Sequence, residues 1–275
     1  METIEYFNVT DKSDWGDGPW QGEPDKRQWQ DQATGLPCLM VRGPSGAWCG
    51  YVGVGTTHPA HGLHYDGERS EDAEARRAAF RRQMHLNYGK PIEEWETADV
   101  PPRKPLSEAG EAVAALEVHG GLTFADGCAD QSREAWDAFR LRQAALLAEA
   151  EKFPKGDAAR TLERWAGCFD DYDHWKERMQ ATAICHLPAL GEPDGVWWFG
   201  FDSAHAGDLM PAHRSMLRGL GFPEPSEATR AAMYGLREVY RDVAYIEAEC
   251  TRLASQLAAI RLSLPKPQEE DDDGE

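Results

Sequence analysis

No stretch of about eighteen apolar residues occurs in this chain, so nothing in it predicts a membrane-spanning helix. Its first residues, "METIEYFNVTDKSDW", lack the basic and apolar regions of a signal peptide, and the expected compartment is the cytosol. The six cysteines, Cys38, Cys49, Cys128, Cys168, Cys185 and Cys250, form no CxxC pair and no dense framework, which predicts reduced thiols. There is no Walker loop, no dinucleotide-binding glycine fingerprint, no HExxH and no EF-hand loop, so the common nucleotide and metalloprotease classes lack support. A lipase-like reading fails for want of a G-x-S-x-G elbow. Basic residues are scarce: 29 Lys and Arg stand against 48 Asp and Glu, a net charge of −19. Such a balance repels nucleic-acid phosphates and anionic lipid, and argues against general DNA or RNA binding.

What is present suits a globular protein, since 275 residues with 41% hydrophobic content can build a sizeable core. Residues 1–36 are expected to be an irregular extension anchored by Trp15, Trp20 and Trp29. A single domain is expected over 37–264, with helical insertions at about 67–110 and 129–180. The run "EEDDDGE" belongs to a disordered acidic tail from residue 265. Two β runs around "GPSG" predict a hairpin near 38–54. From Ser70, "SEDAEARRAAFRRQMHLNYG" has an N-cap, acids in its first turn and bases later, which predicts a helix ending near Gly89. Residues 132–153 and 157–180 carry apolar residues three and four apart and predict an antiparallel helix pair. "ALEVHGGLTFADGC" predicts a strand turned at Gly120 and Gly121, and 181–190 with 195–202 a second hairpin across "GEPDG". Residues 226–262 predict a long helix with a stripe including Val239, Tyr245, Leu253, Leu257 and Ile260. The expected class is α+β: a small, mostly antiparallel sheet packed with several helices.

Chemistry-bearing residues cluster at the ends of these elements. In "HPAHGLHYD", His58, His61 and His64 recur every third residue with Asp66 following, and an extended left-handed segment has about three residues per turn. That spacing makes the three histidines candidate metal ligands, with zinc the candidate cofactor; the alternative is a loop whose histidines cap backbone or face solvent. In "WWFGFDSAHAGD", Trp197, Phe199 and Phe201 share one strand face and Trp198, Gly200 and Asp202 the other, with Gly200 leaving room beside Asp202. Asp202, His205 and Asp208 follow at intervals of three, so Asp202 is placed to orient His205 as a general base. Asp208 also suits the cap of a helix beginning at Leu209. His119 precedes Gly120 and Gly121, whose amides are candidates for an anion cradle to which Thr123 adds a hydroxyl. Adjacent Cys185 and His186 would point to opposite faces, and Cys128, Cys168 and Cys250 suit small core positions.

The blocks "GYVGVGTTHPAHGLHYD", "LEVHGGLTFADGC", "ICHLPALGEPDGVWWFGFDSAHAGD" and "YRDVAYIEAECTRLASQL" resemble an uncharacterised family of bacteriophage and prophage proteins. The resemblance implies a protein of the infected-cell cytosol and no settled activity. It directs attention to His58, Gly62, Tyr65, His119, Gly120, Gly121, Leu122, Thr123, Trp197, Trp198, Phe201, Asp202, His205 and Asp208. If the three histidine-bearing blocks meet, His58, His119, Asp202 and His205 would line one polar cleft walled by Trp198 and Tyr65, suited to a small anionic, nucleotide-like ligand. In a hydrolytic version His205 is the base, His119 or His58 a second acid, base or metal ligand, and the Gly120–Gly121 amides stabilise developing charge. Two other readings stand beside this one. The chain is an acidic decoy for a host defence or nucleic-acid-binding protein, or the His/Asp cluster is a buried hydrogen-bond network that holds the fold together.

Overall fold

The computed structural model describes residues 3–87, 90–97, 99–128, 132–150, 171–182, 184, 195–213, 229 and 238–261. Its strands are β1 (Ile4–Tyr6), β2 (Lys26–Gln30), β3 (Pro37–Arg42), β4 (Trp48–Val54), β5 (Phe124–Gly127) and β6 (Trp197–Asp202). They form one antiparallel sheet in the order β1-β2-β3-β4-β6-β5. The α-helices among the described residues are α1 (Ser70–Asn87), α2 (Glu108–Ala114), α3 (Arg133–Ala150), α4 (Tyr172–Thr182) and α5 (Val243–Ala259). The architecture is the expected α+β. No helix among the described residues is long and apolar enough to cross a membrane.

Period-2 alternation decides the two faces of the sheet. Cys38, Met40, Trp48, Val52, Val54, Phe199 and Phe201 face α5, whose Ile246, Cys250, Leu253 and Leu257 recur at helical spacing on its inner side. Gly50 marks the closest approach: a Cβ there would lie 2.5 Å from the Phe201 ring and 2.9 Å from Cys250 Sγ. The other face gathers Leu39, Val41, Tyr51 and Trp198. Gly200 gives its room to Tyr51 and not to Asp202, because a Cβ at 200 would stand 2.3 Å from the Tyr51 ring.

The predicted hairpin is β3–β4, with Cys38 opposite Val52 and Val41 opposite Cys49. The predicted helix from Ser70 is α1. Helices α3 and α4 touch through aromatic rings, Trp136 lying 5.5 Å from Trp175; the "PKG" turn between the two patterns lies outside the described residues, as do Cys168, Cys185, His186 and the acidic tail.

Four expectations are corrected. Residues 1–36 are not irregular throughout: β1 and β2 extend the sheet, and Trp29 lies on β2. The second hairpin is not formed on β6 at 197–200, which pairs with β4 on one edge and β5 on the other; Ala181 and Thr182 are helical, and 183 and 185–190 lie outside the described residues. In "ALEVHGGLTFADGC" only Phe124–Gly127 is strand, the preceding residues forming a loop after α2. The expected helix over 226–262 is not continuous: residues 238–242 are not helical, Val239 being exposed and bridged to Asp208, and a helix starts at Val243, where the Asp242 side chain accepts the Tyr245 N–H at 2.9 Å; 226–228 and 230–237 lie outside the described residues.

Gly50→Ala should therefore lower stability by about 1–3 kcal/mol, since the new methyl overpacks a sheet–helix contact. Gly55→Ala, which meets nothing within 4 Å, should change it by less than about 0.5 kcal/mol. Urea unfolding of the two variants compares them; equal midpoints would refute the close approach at Gly50.

Candidate functional site

Three stretches distant in sequence meet around Asp208. After β6 the chain turns tightly: Asp202 Oδ1 accepts the Ala204 N–H at 3.0 Å, and Asp208 Oδ2 accepts the His205 N–H at 3.1 Å. Asp208 then forms a parallel bridge with Val239, sealed by Leu209 N–H to Val239 O and Val239 N–H to Gly207 O, both 2.9 Å. The bridge carries Arg241 alongside, and its Nε donates to Asp208 Oδ1 at 2.8 Å. The third stretch is the loop before β5. Gln256 of α5 clamps Glu117, accepting its N–H at 2.9 Å and donating to its carbonyl at 2.8 Å. Glu249 accepts the His119 N–H at 2.8 Å.

These clamps hold the His119 imidazole with Nε2 2.7 Å from Asp208 Oδ2 and Nδ1 3.0 Å from the Tyr245 hydroxyl. The Arg241 guanidinium lies 4.7 Å over the Tyr245 ring. Asp208, with 2% of its side chain exposed, thus receives Arg241, His119 and the His205 amide. Burial works to raise its carboxyl, but the hydrogen bonds from Arg241, His119 and the His205 amide outweigh it and hold Asp208 below the ordinary carboxylate value.

His205 differs from its neighbours. Its ring lies on the backbone of Gly120, where a Cβ would come within 2.1 to 2.5 Å of ring atoms, and Gly120 takes a φ of 66°. Its Nδ1 is buried with no hydrogen-bond partner, 3.8 Å from both Asp202 Oδ1 and Asp208 Oδ2, while 35% of the side chain faces solvent. The His119 and His205 rings are 5.5 Å apart. Among the described residues, His119, His205 and Asp208 are the one group of three His, Cys, Asp or Glu side chains able to hold a metal ion, their donor atoms all within 4.8 Å of one another.

The structure brings His119, Asp202, His205, Asp208, Gly120 and Thr123 together, but with altered roles. Asp202 does not orient His205 by a hydrogen bond, because its oxygens serve Ala204 and the Thr123 hydroxyl, the latter at 3.1 Å. Gly121 does not offer its amide to a ligand, since that N–H closes a turn on Val118 O at 3.1 Å. Asp208 caps no helix at Leu209; it accepts from three side-chain and backbone donors instead. Trp198 is no cleft wall: it is fully buried among Leu39, Val41 and Tyr51. Tyr65 packs on the His64 ring at 3.8 Å.

The three-histidine metal site is also corrected. Residues 55–63 form successive turns, not an extended left-handed helix, so a period of three does not align the rings. His58 Nδ1 accepts the Ala60 N–H and its Nε2 bonds Leu257 O at 3.0 Å. Burial lowers its pKa. His61 Nε2 bonds Gly195 O at 3.0 Å, and His64 Nδ1 meets Asp66 at 2.7 Å. The three rings are committed to three different partners. A cavity of about 290 Å³ lined by Leu63, Glu68, Asp72, Lys104 and Leu106 lies near this segment, but its polar groups pair with chain partners, Lys104 with Asp72 at 2.7 Å and Glu68 with Arg76 and Arg103.

Arg241 and Glu249 escaped the sequence reading, and Tyr245 entered it only as a member of an apolar stripe. Their signal was the spacing of polar groups in "YRDVAYIEAEC", where Arg241, Tyr245 and Glu249 recur every fourth residue beside an apolar stripe. The fold and cluster together define an α+β protein with a buried carboxylate flanked by two imidazoles. Comparison with protein-family models, curated proteins and solved structures finds no match.

Because Asp208 ionises more readily when folded, its contribution to stability is complete above the unfolded carboxyl value, ~4, and is lost as pH falls through the lower folded value. Urea unfolding from pH 7 to pH 2.5 should show Asp208→Asn less stable at pH 7 by about 1–3 kcal/mol and with a flatter acid limb than the native chain. Identical acid limbs would show that Asp208 titrates no differently in the two states.

Proposed function

We propose that the protein is a phage-type accessory protein whose His119–Asp208–His205 cluster binds, and hydrolyses, a small anionic, nucleotide-like ligand in the cytosol of an infected cell, in evasion of host defence. The observation that supports this is the convergence itself. Two imidazoles, a guanidinium and a buried carboxylate come from the loop before β5, the turn after β6 and the segment before α5, and His205 keeps an edge toward solvent. His205 is the acid or base, because it is the more exposed imidazole of the pair, 35% against 13% for His119. His119, Arg241 and Tyr245 are positioning residues for Asp208. Thr123 and Asp202 form the rim.

An acidic decoy gains no specific support. Among the described residues of α3 and α4, acids such as Glu134, Asp137 and Asp173 alternate with bases, and Arg133 and Arg140 lie against Tyr172 and Trp136. A charge-mimicking face calls for one sign over a continuous surface.

Native mass spectrometry against a panel of mononucleotides, dinucleotides and cyclic dinucleotides, with product masses followed over time, tests the reading. The expected result is a bound species that His205→Ala weakens by more than about 10-fold with its far-UV circular dichroism unchanged. No bound member of the panel, or the same affinity in His205→Ala, overturns it.

A further inference from the structure

We infer that His119 Nε2, His205 Nδ1 and Asp208 Oδ2 form a site for one divalent transition-metal ion of the zinc class, open on the solvent side of His205. The inference deepens the proposed function, resting on that reading for the ion's use but not for its binding. Two imidazoles and one carboxylate are a donor set that zinc accepts, and three protein ligands with one open position are the composition of catalytic zinc sites.

The distances leave little to rearrange. Tetrahedral ligands at about 2.0–2.1 Å from zinc stand roughly 3.3–3.4 Å from one another. In the structure His119 Nε2 is 2.7 Å from Asp208 Oδ2 and His205 Nδ1 is 3.8 Å from it, so the required spacing lies between the two. An ion would part the first pair and draw in the second by less than ~1 Å. On binding, the single ring proton of neutral His119 moves through solvent from Nε2 to Nδ1, with none released, so the Nε2 lone pair is free for the metal and Nδ1–H donates to the Tyr245 hydroxyl. Arg241 already holds Asp208 Oδ1, which leaves Oδ2 as the single coordinating oxygen. Such partners behind the ligands fix ring tautomer and carboxylate orientation.

His205 supplies the distinguishing observation. Its Nδ1 is buried, unpartnered and aimed at two carboxylate oxygens, while its ring is seated on a glycine that admits no side chain beneath it. His64 Nε2 is also buried without a partner, but no second ligating group accompanies it, since its own Asp66 is taken up by Nδ1 and by Arg76 and Arg103. Charge points the same way. Asp202, Asp208 and Glu249 surround the cluster with two guanidinium groups, Arg241 on Asp208 and Arg252 on Glu249. A dication reverses that balance and gives an anionic ligand a reason to enter, through its oxygen at the open position.

The full chain, stripped with chelator and dialysed, is titrated with zinc chloride by calorimetry, and with cobalt(II) followed by absorption. Binding of one equivalent is expected, with a cobalt spectrum lacking the thiolate charge-transfer band that cysteine ligation would give. His205→Ala, at a partly exposed position and with its fold checked by circular dichroism, should weaken binding more than about 100-fold; Tyr245→Phe should weaken it about 10-fold and His61→Ala not at all. Folded native chain that takes up no zinc, or one-equivalent binding that survives His205→Ala, overturns the site. One-equivalent zinc binding in a chain that binds no nucleotide upholds it while removing the proposed substrate. His205-dependent nucleotide binding by a chain that takes no zinc does the reverse.

Discussion

Arg42 carries its charge on a side chain with no exposed surface, and much of the molecule is arranged to make that tolerable. A buried guanidinium is stable only when its charge is compensated, because the desolvation penalty is several kcal/mol; Arg42 Nε makes no hydrogen bond and lies 3.5 Å from Asp25 Oδ1. Its terminal nitrogens reach Glu23 Oε2 at 2.7 Å, Gly46 O at 2.9 Å and the Tyr240 hydroxyl at 3.0 Å, and its flat face lies 4.0 Å from the centroid of the Trp48 ring. Tyr240 in turn donates to Glu23, and burial holds its phenol protonated. Glu23 belongs to the N-terminal segment, Arg42 to β3 and Tyr240 to the segment before α5, so one charge ties three parts of the chain together. It also sets the site. With Tyr240 fixed in this network, Val239 bridges Asp208, Arg241 engages its carboxylate and Asp242 caps α5.

Helix α5 carries this order further, because two stripes run along it. Ile246, Cys250, Leu253 and Leu257 seal the sheet, and the burial of Cys250 drives its thiol well above the usual value. Tyr245, Glu249 and Gln256 form the other stripe, and each bonds a residue of the loop from Glu117 to His119. The loop has no regular structure to hold it, so its backbone groups are satisfied by side chains of the helix. The position of His119 is therefore a property of α5, and α5 is placed by the sheet core and by Arg42.

What was legible in the sequence followed from local periodicity. Strands β3, β4 and β6 are short apolar runs bounded by turn residues, and α1 has its own start and stop signals; these needed no distant partner to be seen. Strand β2 was hidden because Lys26, Arg27, Gln28 and Gln30 do not alternate in polarity, and its place comes from pairing with β3. The site was half legible. His119, Asp202, His205 and Asp208 stood out as polar groups where apolar runs end, but their roles depend on Arg241, Tyr245 and Glu249, between 33 and 130 positions away from the groups they bond. The opposite error occurred at His58, His61 and His64. Their period of three carries meaning only on an extended left-handed backbone, and turns from Gly55 to Leu63 send each ring to its own acceptor, two of them main-chain carbonyls.

A cluster built around a buried carboxylate can be a structural device and nothing more, and Asp208 alone fits that description, since its acceptor capacity is met by three donors. A network evolved only for stability tends to satisfy every buried member, because each unmet polar atom costs about 1–3 kcal/mol without return. His205 breaks that rule within the same cluster. Gly120 at a φ of 66° is the condition for its ring to sit there, and the turn closed by Gly207 at 96° delivers its amide to Asp208 while withholding a partner from Nδ1. Two left-handed glycines thus hold an imidazole beside two carboxylates with its nitrogen unmet. The unmet nitrogen, and not the backbone, which glycine adopts without strain, is what the proposed metal ion would satisfy. On the proposed reading the cluster divides: Asp208, Arg241 and Tyr245 are the frame, and His205 is the group held ready.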